Sequence, residues 1–128
     1  MKCSKYKYDL NDSKSEYVDK YTGVNVIFKG GINIFLQNNC GKIVGNLTVA
    51  AIRWKLNGVI YLEEEYTFYL NNNDIVQGII MYEDSNTGEV SSPQRVEFAV
   101  TSGTGKFSDA KKVIIKYNSD KTRDICIC

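Results

Sequence analysis

The segment Ala99-Val100-Thr101-Ser102-Gly103-Thr104-Gly105-Lys106-Phe107 constrains this chain more than any other. A β-rich run from Arg95 enters Gly-Thr-Gly and a second apolar run follows Phe107. Two glycines around one threonine permit a sharp bend or a bulge that residues with a β-carbon resist. Phe107 can then fold back over the end of whatever the strands enclose. Strand, glycine corner, plugging aromatic and strand together suit the rim of a small closed antiparallel barrel.

The rest of the chain is read the same way. Short alternating runs predict strands at Cys3–Asp9, Val24–Phe28, Ile32–Gln37, Lys42–Trp54, Val59–Leu70, Asp74–Tyr82, Gln94–Thr101, Lys106–Tyr117 and Arg123–Cys128. Turn signals divide them at Gly30-Gly31, Asn38 to Gly41, Asn57-Gly58, Asn71 to Asp74, Ser85 to Gly88 and Asn118 to Asp120. Asn57-Gly58 is the strongest hairpin signal, because a type I′ turn needs positive φ at both centres. Asn11 to Lys20 is charged and poorly patterned and is expected to be a loop or a short irregular segment. The expectation is an all-β antiparallel barrel of about eight strands, one domain over residues 1–128.

Composition limits the chemistry. The formal charge is +1, too small a field to draw in nucleic acid or an anionic membrane. No apolar stretch has the length of a membrane span. The polar, tyrosine-rich start from Met1 to Leu10 has no signal-peptide core, so a cytoplasmic location, or assembly in a particle, is expected. There is no histidine, which removes histidine triads and histidine metal sites. Any acid or base must be Asp, Glu, Tyr, Lys or Cys. No cofactor and no metal are expected. The cysteines, Cys3, Cys40, Cys126 and Cys128, show no CxxC pattern. They read as four free thiols in a reducing compartment. The alternative is a disulfide from Cys3 to Cys126 or Cys128, stapling the first strand to the last.

Strand parity marks one residue. In Val59–Leu70 the even positions are Ile60, Leu62, Glu64, Tyr66, Phe68 and Leu70, so Glu64 is the lone charge on an apolar face. Either a bulge within Glu63-Glu64-Glu65 turns all three outward, or Glu64 is a pocket carboxylate of altered pKa. Trp54, Tyr66 and the other tyrosines can line a pocket for an apolar ligand, or serve barrel packing and a subunit interface.

Several segments, in order, resemble the allene oxide cyclase and dirigent barrel superfamily. Tyr6-Lys7-Tyr8-Asp9-Leu10-Asn11-Asp12 is similar to the first strand of the cyclases. Gly45 and the strand after it look like their pocket strand. Tyr66-Thr67-Phe68-Tyr69-Leu70 and Ile75-Val76-Gln77-Gly78 look like later strands, and Ala99 to Phe107 like the shared glycine corner. The resemblance implies a hollow barrel with Asp9 as pocket carboxylate and Asn11 as pocket amide, the catalytic pair. Glu64 and Trp54 would converge with them. It also implies a pocket role for Arg95, since dirigents use a basic residue before the corner. Two features depart from the family. Ala51 stands where the cyclases have a pocket cysteine, and alternation puts Asp9 on the face of Lys5 and Lys7, and Arg95 outside. The implied function is binding of an apolar small molecule, steering a cofactor-free isomerisation or cyclisation by orientation. The rival expectation is a non-catalytic structural or interaction barrel in a viral particle or other assembly. A homo-oligomer, dimer or trimer, is expected in both cases.

Overall fold

The structure is a computed structural model and describes residues 2–12, 15–18, 26–83 and 95–128. Its strands are β1 (Ser4–Asp9), β2 (Ser15–Val18), β3 (Val26–Gln37), β4 (Ile43–Leu56), β5 (Val59–Leu70), β6 (Ile75–Glu83), β7 (Arg95–Gly103), β8 (Lys112–Tyr117) and β9 (Thr122–Ile127). Apart from two 3-10 turns, Leu10–Asp12 and Gly105–Phe107, no helix occurs among the described residues. None is long and apolar enough to cross a membrane. The sheet runs β1-β9-β8-β7-β6-β5-β4-β3, and β1 also pairs with β3. That last pairing closes an eight-stranded antiparallel barrel. β2 continues β1 along β3, with Ser15 opposite Asn33 and Val18 opposite Gly30.

Three segments differ from the sequence expectation. The strand expected from Lys106 begins only at Lys112, because Gly105–Phe107 is a 3-10 turn that folds Phe107 inward. Gly30-Gly31 is not a turn but the middle of β3, where Ala51 and Ala50 face it on one side and Val18 and Tyr17 on the other. Hydrogen-bonded neighbours on both sides override the local turn preference of glycine. The same pairing makes a strand of part of the expected loop, since Ser15–Val18 find β3 as a template. The turn expected at Ser85 to Gly88, and the start of the strand expected at Val24, lie outside the described residues.

The glycine corner forms the closed end. Gly105 has φ +56°, while Gly103 packs so closely under the Phe107 backbone that a β-carbon has no room there. Thr104 clamps the start of β6: its N–H donates to the Ile75 carbonyl at 3.0 Å, and its hydroxyl accepts from the Ile75 N–H at 2.9 Å. Phe107, 3 % exposed, turns inward onto the core. Behind it the barrel is filled by Ile34, Leu36, Leu47, Phe68, Ile115 and Ile125, all fully buried. Cys3 and Cys128 are joined by a disulfide at this end, and Cys40 and Cys126 are free. The expectation of four free thiols is therefore corrected. Ser4 pairs with Ile127, so the next residue out on each strand meets its partner directly, whereas Cys126 faces Lys5.

Candidate functional site

Among the described residues, the other end of the barrel holds a cavity of about 200 Å³. Its position follows from side-chain alternation. On β5 the inward residues are Leu62, Glu64, Tyr66, Phe68 and Leu70. Leu62, Tyr66, Phe68 and Leu70 are buried. The β5 ladder runs without a register break past Glu63, Glu64 and Glu65, which face Ile52, Ala51 and Ala50. No bulge rescues Glu64, and its carboxyl projects into the barrel. Register shifts occur elsewhere: in the β3–β4 ladder at Val26/Phe28 and at Leu36/Gln37, and between β6 and β7, where Gln77 pairs with Ser102 and Gly78 with Val100. Thr101 is the extra residue, and its hydroxyl donates to the Gln77 carbonyl at 3.2 Å.

Four tyrosines, one of them from β5 itself, and one arginine gather at Glu64. The cavity is lined by Tyr8 of β1, Tyr66 of β5, Tyr82 of β6, Tyr117 of β8 and Arg123 of β9. Tyr82 Oη donates to Glu64 Oε1 at 3.3 Å. Burial pushes the Glu64 carboxyl above the ordinary glutamate range, and the hydroxyls of Tyr82 and Tyr66 offset part of that rise. Burial likewise raises Tyr8, Tyr66 and Tyr117, and the nearby Glu64 charge adds to each. The three tyrosines are thus neutral hydrogen-bond donors at neutral pH. Tyr66 stacks on Phe98 at 4.8 Å between centroids, which floors the cavity above the filled half.

Arg123 is fixed by the β8–β9 turn. Asp120 Oδ1 accepts the Thr122 N–H at 3.0 Å and the Thr122 hydroxyl at 2.6 Å, and these bonds lower the Asp120 pKa. Arg123 Nη1 donates to the carbonyls of Thr122 at 3.1 Å and Asn118 at 3.4 Å, and the guanidinium lies 4.4 Å from the Tyr117 ring centre. Among the described residues no ion pair joins Arg123 to Glu64. Two larger hollows at the closed end are lined by rim and turn residues such as Asn71, Asn72, Lys106 and Asp109. Neither gathers a carboxyl and tyrosines in this way.

The residues singled out from sequence divide sharply. Glu64 and Tyr66 lie in the cavity. Asp9 and Asn11 do not: Tyr8 faces inward, so Asp9 faces out, where its Oδ1 accepts the Asn11 N–H at 2.9 Å and the Asn11 side-chain amide at 2.8 Å. This is an Asx turn at the rim that breaks β1 before β2. Trp54 pairs with Tyr61 on the outer surface and stacks on it at 5.7 Å. Arg95 is 60 % exposed and forms a 3.3 Å ion pair with Glu97. The alternation rule, not the family correspondence, matches the placement of Asp9 and Arg95. Tyr82 and Tyr117 were not singled out among the tyrosines, and Arg123 was not named, although each flanks an apolar alternating series: Val76-Gly78-Ile80, Val113-Ile115 and Ile125-Ile127. No model of a known protein family matches this chain, and no curated protein matches it.

Proposed function

We propose that this chain is a small-molecule-binding barrel of the allene oxide cyclase and dirigent kind, which takes an apolar ligand in the cavity at Glu64. The observation that supports this most is Glu64. A carboxyl on the inner wall of a barrel costs stability, and here it borders about 200 Å³ of unfilled space instead of packed side chains. Strain of that sort concentrates at functional positions. The chemistry that suits the site is a cofactor-free isomerisation or cyclisation. Glu64, held in its protonated form, donates a proton to a ligand oxygen and takes one back later, while the tyrosine rings fix the ligand's shape. This reading moves the catalytic role from Asp9 and Asn11 to Glu64, with Tyr82 orienting it. The test is thermal stabilisation by a panel of small apolar ketones, phenols and acids. A ligand that raises the wild-type Tm and not that of Glu64→Leu supports the reading. A panel without any effect on a folded protein removes it.

A second reading, an interaction barrel, rests on one observation. Met81 and Ile79, 62 % and 43 % exposed, stand on the outer surface of β6. Beyond Gly78 and Val100 no β6–β7 pairing follows among the described residues. An apolar strand face beside an open seam suits a second copy of the chain. Sedimentation of wild type against Met81→Lys decides whether it forms a homo-oligomer. The Cys3–Cys128 bond favours an oxidising compartment over a cytoplasmic one.

A further inference from the structure

The cavity contains one fixed positive charge and one carboxyl that do not neutralise each other. Arg123 has Nη1 engaged by two backbone carbonyls and its face on Tyr117. Its Nη2 and Nε have no partner among the described residues. The guanidinium cannot lose its proton. Glu64 has its charged form disfavoured by burial. The groups that face it are Tyr66 from its own strand, Tyr82 from β6, Tyr117 from β8, Tyr8 from β1 and Arg123 from β9. From β4, Ala51 stands opposite, and Arg53 shares the inner face one step nearer the mouth, opposite Leu62. The balance on this wall is cationic whenever Glu64 holds its proton. A neutral ligand leaves that charge only the solvent-exposed Asp120 carboxylate of the β8–β9 turn as a counterpart, whereas an anion in the cavity meets it directly.

We propose that the Glu64 cavity binds a small monocarboxylate, with the ligand carboxylate on Arg123 and its apolar body lying across Tyr117 and Tyr66 toward Glu64. This rests on the small-molecule reading above and names its ligand class. The size follows from the space: about 200 Å³ holds a ring-sized acid, and the filled lower half of the barrel leaves no room for a chain to run deeper. The planar guanidinium presents paired donors that fit the two carboxylate oxygens. A bound anion also opposes ionisation of Glu64, so binding and proton retention at Glu64 support each other.

The experiment compares benzoate with benzamide, its neutral isostere, by calorimetric titration of the whole chain from about pH 6 to about pH 8. The expected result is that benzoate binds at least about tenfold more tightly than benzamide, as a charge-assisted pair requires. Its affinity should fall as pH rises, and the fall should disappear in Glu64→Gln. Arg123→Met should bring benzoate down to the benzamide level, with Arg123→Lys between them. Equal binding of both probes to wild type would overturn the carboxylate assignment and leave the small-molecule reading standing. Benzoate affinity unchanged in a folded Arg123→Met or Arg123→Lys protein would overturn it too. If neither probe binds the folded wild type, the small-molecule reading falls with it. The comparison on wild type needs no variant to fold.

Discussion

The Phe98 ring lies across Gly78, so close that a β-carbon on Gly78 would sit 2.5 Å from Phe98 Cε2. The same ring stacks on Tyr66. Gly78 is thus what lets a β7 aromatic reach over β6 and floor the cavity. Gly78→Ala should push the ring away, costing about 1–3 kcal/mol as overpacking does. The shift should tilt Tyr66 and weaken any cavity ligand. Urea unfolding together with near-ultraviolet circular dichroism checks both effects. A variant as stable as wild type with an unchanged aromatic spectrum would show that the ring has room to spare.

The corner offers a separate test of backbone strain. Gly105 sits at φ +56°, and a β-carbon there runs into the Asp74 carboxylate. Gly105→Val should destabilise the barrel by about 1–3 kcal/mol, since a branched residue resists that conformation. Thermal melting reads the loss. Phe107 should also become more accessible, because the turn that inserts it begins at Gly105.

Reduction should act on the whole fold. The Cys3–Cys128 bond spans 125 residues and ties β1 to the end of β9. Closing a loop of that length removes much of the unfolded chain's freedom, and its loss costs about 2–5 kcal/mol. Cys3→Ser should therefore lower the denaturation midpoint, and so should dithiothreitol on wild type but not on the variant. A midpoint that dithiothreitol leaves untouched would mean that β1 is held by pairing alone.

The fold was legible wherever one face of a strand repeats. β5 was placed to the residue, and its inner face was read from Leu62 to Leu70, because the pleat fixes a period of two. Glu64 was visible as the exception for the same reason. What the sequence could not supply was the choice between a bulge and a pocket, which depends on the register of β4 and β6 against β5. Gly30-Gly31 misled because a turn preference is local and two flanking strands are not. Asp9 misled because similarity of a segment does not fix which face of the strand it occupies. Tyr117 and Arg123 come together only when β8 and β9 pair across the β8–β9 turn, a contact set by Asp120 and Lys121 at φ +69°.

Asp9 gives the sharpest contrast between the family correspondence and the observed site. Its carboxylate closes the Asx turn with Asn11 and points away from the cavity. Asp9→Ala should cost about 0.5–1.5 kcal/mol, the worth of ordinary hydrogen bonds, and leave ligand affinity unchanged. Affinity lost in a stably folded Asp9→Ala protein would return the site to the β1 rim.

Glu64 holds its proton more tightly folded than unfolded, because burial lifts its pKa above the ordinary 4.5. Below the ordinary value both states are protonated, and the group makes no difference. As pH rises from there through the folded pKa, the unfolded chain ionises first, so the folded state binds more protons and stability falls. Above the folded pKa the loss is complete and constant. Tyr8, Tyr66 and Tyr117, also raised by burial, add a second decline only above their ordinary value of 10.0. Glu64→Gln removes the first decline and keeps an acceptor for Tyr82. Wild type and variant should therefore unfold at similar urea concentrations near about pH 4, and the variant should be the more stable near about pH 8. A constant difference across that range would mean that Glu64 ionises folded as it does unfolded. The carboxyl would then be solvated, and the cavity would have no stored proton to give a ligand.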